Sequence, residues 1–305
     1  MWFKNLKAYR LTSPLSLDQE SVESALAEFA FRPCGKQETA TMGFEPPFAA
    51  SGMRNATMLC HAVEGRYWIC LKKQERLLPA AVVNAELAEK VADIEAQTGS
   101  PVGKKAQSDL RQEIITRLLP QAFTKNTYTH GFIATQDNLV VVNASGDGAA
   151  EAFLAHVRKA LESLPVVPLV RQSLQSQLTD WVSDKPPLKV ILQEEAEFKS
   201  VSDDGAIIRC KNQDLFSDEI KQHIDAGKLM QKVAIEWDER LQCVIQEDGA
   251  VKRLKFTDVV KEQNADIPKD ELAAKLDADF ALMSGEIIAF IDAMIEMFEL
   301  NDTEA

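Results

Sequence analysis

Apolar positions along this chain keep two periods, and the places where one gives way to the other outline its elements. Residues 2–11 alternate and carry aromatics, which predicts a strand. Ser16 and Gln19 have the spacing of a capping box, so a helix is expected from there to about Phe31. Residues 57–63 and 67–72 flank Glu64-Gly65 as the arms of a hairpin, the second arm ending in Lys72-Lys73-Gln74-Glu75-Arg76. Leu87, Val91 and Ile94, then Leu110, Ile114 and Leu118, repeat at helical spacing on either side of Gly99-Ser100-Pro101. Residues 82–119 therefore read as an αα-hairpin standing off the body.

A second β-hairpin is expected over 128–135 and 139–144 around Asp137-Asn138, with a helix near 148–163 behind it. The Pro-spaced stretch Leu164–Leu169 marks a boundary. Beyond it the pattern predicts a strand near 206–211, a helix near 216–226, and strands near 229–236, 240–246 and 251–256. The chain closes on Leu276, Phe280, Met283, Ile287, Ile291, Met294 and Phe298, which advance by threes and fours as one apolar stripe. Strands and helices without regular βαβ alternation indicate an α+β architecture.

Charge changes this picture. The formal net charge is −13, which taken whole argues against a nucleic-acid partner. Residues 262–305, however, hold twelve acidic and two basic side chains, while residues 66–130 hold ten basic and seven acidic ones. Attraction of phosphate needs a local field, so the average cannot exclude a polyanion. Five scattered cysteines without a C-x-x-C pair favour reduced thiols and a cytoplasmic setting. The opening Met-Trp-Phe-Lys-Asn-Leu-Lys has no signal-peptide core, and no apolar run is long enough to span a membrane.

Catalytic motifs are scarce. Gly99-Ser100-Pro101-Val102-Gly103-Lys104-Lys105 is one residue short of a phosphate-binding loop and has lysine where Ser or Thr should hold magnesium, so a turn between helices explains it better. His61, His130, His156 and His223 lack metal-ligand spacing. Asp277 and Asp279 could serve a metal-dependent nuclease with a further carboxylate, although residues two apart on a helix point away from each other. A solvated helix face is the simpler reading of that pair. The basic groups Lys72, Lys73 and Arg76, then Lys104, Lys105, Arg111 and Arg117, then Lys252, Arg253 and Lys255, carry few aromatics. Binding through the nucleic-acid backbone is therefore expected rather than base stacking. A third alternative is a protein-only scaffold whose C-terminal stripe docks a partner helix.

Several segments, taken in order, resemble the RdgC family of recombination-associated proteins. They are Trp2-Phe3-Lys4-Asn5-Leu6 with Tyr9-Arg10-Leu11, Arg32-Pro33-Cys34-Gly35, Leu118-Leu119-Pro120-Gln121-Ala122-Phe123, Ser163–Leu169, Lys252-Arg253-Leu254-Lys255-Phe256 and Asp277-Ala278-Asp279-Phe280. The resemblance implies a multidomain curved subunit with β-sheets, a protruding αα-hairpin and a long C-terminal helix. Residues 1–75 with 126–165 would form a central α+β domain, 76–125 a helical tip and 166–305 a C-terminal base. Two subunits would close a ring-shaped homodimer around double-stranded DNA without sequence preference, with single-stranded DNA as a further partner. The role implied is nucleoid-associated restraint of RecA-promoted strand exchange, with no enzyme activity and no cofactor. Phe123 matches a dimer-gate phenylalanine, and Arg209, Lys211 and Gln213 match a DNA-facing gate segment. The chain departs from the family at Asn212, where a lysine is expected, and at Gln121, where arginine is.

Overall fold

The computed structural model describes residues 1–201, 205–268 and 270–300, which form two compact units of mixed α+β structure. The strands are β1 (Lys7–Leu11), β2 (Ala40–Phe44), β3 (Cys60–Val63), β4 (Arg66–Arg76), β5 (Thr124–Ala134), β6 (Leu139–Val142), β7 (Val166–Pro168), β8 (Val190–Ser200), β9 (Ile207–Lys211), β10 (Lys228–Trp237), β11 (Leu241–Gln246) and β12 (Val251–Phe256). The helices are α1 (Gln19–Ala27), α2 (Pro47–Ala50), α3 (Ala80–Thr98), α4 (Lys104–Leu118), α5 (Asp147–Ala160), α6 (Gln175–Ser183), α7 (Asp218–Asp225), α8 (Asp258–Lys261) and α9 (Leu272–Met297). The chain crosses between the units after Glu28 and after Glu45, and again within β4 and β5.

The larger unit comprises residues 1–28, 46–70 and 129 onward. Both expected hairpins are present. Glu64 (φ 48°) and Gly65 (φ 75°) form the left-handed turn that joins β3 to β4, and Asn138 (φ 54°) turns β5 into β6. The Pro-spaced stretch is itself a strand, β7, pairing Val166 with Leu11 and Pro168 with Tyr9 at a sheet edge where proline is tolerated. A second, five-stranded antiparallel sheet runs in the order β12-β11-β10-β8-β9. The N-terminal segment stitches onto β12, Leu6 and Val251 exchanging backbone bonds of 2.8 and 3.0 Å.

Helix α9 ties these layers together. Its stripe residues Leu276, Phe280, Met283, Ile287, Ile291 and Met294, with Phe298 just beyond, are all buried. Phe280 stacks on Trp68 of β4 at 4.9 Å, Phe290 meets Trp237 of β10 at 5.4 Å, and Phe298 stacks on Trp181 of α6 at 5.0 Å. Each such burial stabilises by about 1.5–3 kcal/mol. The stripe is core, so the scaffold alternative loses the surface it required.

The first helix departs from the expectation. It begins at Asp18, whose carboxylate accepts the Ser21 N–H at 2.9 Å, not at Ser16. It stops at Ala27, and residues 29–31 of the second unit bond to Phe44 of β2 instead. That unit holds residues 29–45 and 71–128, with β2 paired to the outer half of β4 and with α3 packed on α4. Gly99 (φ 63°) closes α3 in the left-handed conformation glycine favours, and Gly103 precedes α4; the segment is the inter-helix turn expected.

His130 is 1% exposed, and the Trp68 indole N–H donates to its Nδ1 at 3.2 Å, with Cys70 Sγ 3.7 Å from Nε2. Protonating Nδ1 would set two N–H groups against each other. Burial, with a smaller push from the nearby N-terminal amine, lowers its pKa to about 4. Unfolded histidine titrates near 6.5, so the unfolded chain binds more protons than the native one between about pH 6.5 and 4. Stability from this group is complete above that window and falls by about 3 kcal/mol as pH drops through it. Urea unfolding at the two ends should show this loss, and His130→Gln should reduce it; equal pH dependence in both proteins would refute the assignment.

Candidate nucleic-acid interface

The inner face of the five-stranded sheet buries Ala196, Phe198, Cys210, Met230, Val233, Ile235, Trp237, Cys243, Ile245 and Leu254. Side chains alternate across a strand, so the residues between these must point the other way. Register fixes which ones share that outer face. Arg209 of β9, Glu197 of β8, Lys232 of β10 and Gln246 of β11 lie opposite one another in a row. Lys252 lies opposite Val244, Lys255 opposite Gln242, Lys211 opposite Glu195 and Lys199 opposite Ile207. Arg253 reaches Glu195 in an ion pair of 2.9 Å. Among its described residues this face gathers seven cations, Lys199, Arg209, Lys211, Lys232, Lys252, Arg253 and Lys255, against the carboxylates of Glu195, Glu197 and Glu236, with Glu247 and Asp248 at its edge beside Lys232.

Four of the sequence candidates are thus brought together by register, and Arg253 by its ion pair, although more than forty residues separate Arg209 from Lys252. Gln213, also a candidate, is half-buried and donates to Ser217 Oγ at 3.1 Å, so it braces the start of α7. Sequence reasoning left out Lys199 and Lys232. Lys232 was legible in the alternation Lys232-Val233-Ala234-Ile235-Glu236-Trp237, whereas β8, rich in glutamate and interrupted by two register shifts against β10, gives a weak period-two signal.

In the second unit the candidates have different fates. The Arg76 guanidinium donates to the carbonyls of Cys34, Gly35, Pro120 and Ala122 at 3.1–3.4 Å, joining three stretches of backbone. Lys72 pairs with Glu45 at 3.1 Å and holds its ammonium 4.1 Å from the Phe31 ring centroid, a cation–π contact. Lys73 pairs with Glu75 at 2.7 Å. Arg111 donates to Asn84 Oδ1 at 2.7 Å, Arg117 pairs with Glu86, and Lys90 pairs with Glu113 at 3.0 Å, so these groups clip α4 to α3. Lys104 and Lys105 are exposed in the first turn of α4. The helix dipole disfavours cations there by a few tenths of a kcal/mol or more, so local stability does not account for this pair. Phe123 is 84% exposed and therefore not part of the core of this chain.

The two C-terminal carboxylates do not converge. Asp277 accepts from or pairs with His61 Nε2 at 2.8 Å, whereas Asp279 is buried, accepting from Asn264 Nδ2 at 3.3 Å with the Lys275 ammonium 3.8 Å away. Asp279 is thus not the solvated group its polarity suggested, because α9 is covered on that side as well. Among the described residues no three His, Cys, Asp or Glu side chains gather as a metal site, and no helix is long and apolar enough to cross a membrane.

Fold and face together define a mixed α+β protein with a cation-rich antiparallel sheet open on one side. The family model described as "Putative exonuclease, RdgC" matches residues 1–301. The chain is 61% identical over 305 residues, the whole of both proteins, to the recombination-associated protein RdgC of Pseudoalteromonas atlantica. It is 43% identical to that of Serratia proteamaculans and 42% to that of Yersinia pestis, over 97% of each chain. It belongs to the RdgC family, as its sequence segments implied.

Arg76→Ala would leave four carbonyls without their donor, at a cost of about 2–4 kcal/mol. Arg76→Lys should recover little of this, because one ammonium cannot fork to all four. Lys104→Gln with Lys105→Gln should stay within about 0.5 kcal/mol of the parent. Denaturant midpoints compare them; an Arg76→Ala midpoint equal to the parent's would show that the fork is dispensable.

Proposed function

We propose that the chain is a non-enzymatic DNA-binding protein that assembles as a ring-shaped homodimer around double-stranded DNA and restrains RecA-mediated strand exchange. The observation that carries this reading is the outer face of the five-stranded sheet, where a chain of net charge −13 gathers cations. Such a face attracts phosphate whatever the base sequence. Membership of a family named for recombination supports the biological setting. Single-stranded DNA would use the same phosphate contacts more weakly, and no cofactor is required. The protein would act in the cytoplasm on the nucleoid, as a sleeve that blocks filament formation and strand invasion sterically.

In this assembly Arg209, Lys211, Lys252, Arg253 and Lys255 contact phosphates with Lys104 and Lys105, and Gln213 positions the segment beside them. Lys72, Lys73, Arg76, Arg111 and Arg117 support the scaffold through the ion pairs and carbonyl bonds described above. The exposed Phe123 side chain meets the second subunit, where burying it contributes about 1.5–3 kcal/mol. Helices and sheets would be divided among a central domain, a helical tip and a C-terminal base, with borders near residues 75, 125 and 165.

If a dimer makes about eight phosphate contacts, log affinity should fall against log salt with a slope near −7. Unrelated duplexes should bind alike at one salt concentration, and marked preference for one sequence would refute the reading. A covalently closed circle should hold the protein through a salt challenge better than a short linear duplex, and Phe123→Ala should narrow the difference. Incubation with plasmid and magnesium or manganese separates the binding protein from a nuclease: specific nicking abolished by Asp279→Asn would overturn the non-enzymatic reading.

A further inference from the structure

We infer that Glu197 and Glu195 are internal competitors for DNA phosphate, holding the affinity of the sheet face below what its cations would otherwise give. The inference rests on the DNA-binding reading above and adds its regulation. Glu197 lies in the middle of the row across β9, β8 and β10. Its Oε2 receives the Arg209 Nε–H at 2.7 Å and the Lys232 ammonium at 2.9 Å. Two cationic donors on one oxygen is the arrangement a phosphate oxygen would receive from the same pair. The Glu197 side chain is 13% exposed while that of Arg209 is 71% exposed, so the carboxylate lies low with a cation above it. Burial pushes this carboxyl up, but Lys232 and Arg209 outweigh it and hold it below the usual carboxylate range.

Glu195, two residues earlier on the same face, holds Arg253 in the same way at 2.9 Å. Arg253 has φ 53°, in the left-handed region, within the register shift between the pairs Gln242–Lys255 and Val244–Lys252. A bulge there re-aims the arginine across the sheet, and such a backbone is strained for a residue with a side chain. The Arg253–Glu195 pair is solvent-exposed, and such pairs return little to stability; Glu197 lies lower, but the Arg209 side chain it holds is mostly in water, so fold stability alone does not account for either carboxylate. Their effect is on the field: each carboxylate removes one charge from the face and must be displaced before its cations can meet phosphate.

Glu197→Gln keeps the shape and an acceptor while removing the charge. Fluorescence anisotropy of a short labelled duplex across a salt series should show it binding about threefold tighter or more, with a salt slope steeper by about 1–2, one increment of about 0.9 for each cation released to a phosphate. Glu195→Gln, which releases Arg253, should steepen the slope by about 1 and gives an independent reading should the first variant melt early. Glu28→Gln, which removes an exposed charge at the end of α1, should leave the slope unchanged and measures the effect of net charge alone. Wild-type slope and affinity in both sheet variants, with the parent still binding duplex, would overturn this inference and leave the DNA-binding reading standing. A gain no larger than that of Glu28→Gln would overturn it too. A parent protein that fails to bind duplex at low salt would overturn both.

Discussion

One helix decides whether the larger unit exists. Helix α9 offers aromatic residues at successive levels, and each finds a tryptophan from a different element: Trp68 from β4, Trp237 from β10 of the five-stranded sheet, Trp181 from α6. A sheet with one apolar face cannot be stable alone; it needs a second layer to bury that face. Here two sheets solve the problem with the same helix, and the backbone stitch between Leu6 and Val251 closes the arrangement. The outer face of the second sheet is free to be polar only because its inner face is satisfied in this way.

That division also resolves the charge puzzle. The acidic surplus of the C-terminal segment cannot lie along the apolar stripe, so Asp292, Glu296 and Glu299 stay exposed on the remaining surface of the helix end. The sheet's cations point away from the helix, because Trp237 and its inward neighbours take the other face. Net charge is an average over surfaces that point in different directions. A protein of low pI can therefore present a face that draws phosphate.

The second unit shows that a basic side chain is not by that fact a ligand for an anion. Arg76 and Lys72 sit in a lysine- and arginine-rich run, yet one binds four carbonyls and the other lies over Phe31. Lys104 and Lys105, a few residues from Arg111, remain in water. What separates them is whether an acceptor or ring lies within reach, and the linear sequence does not contain that information.

By itself the sequence determined the periodic elements and their punctuation: both β-hairpins with their left-handed turns, the α3–α4 pair around Gly99, the strands β9 to β12 and the long C-terminal stripe. These are local properties, written in neighbouring residues whose spacing matches one period. The family, too, was legible, in short segments kept in order along the chain. Strand β2, helix α6 and strand β8 were not, since a short element, or one rich in charge and interrupted by register shifts, has no clean period to read. Only the tertiary structure decided which cations share a face and which are held by carbonyls or carboxylates. A strand's register turns on pairing across the sheet, and a slip of one residue would send Arg209, Lys232 and Lys252 to the opposite side.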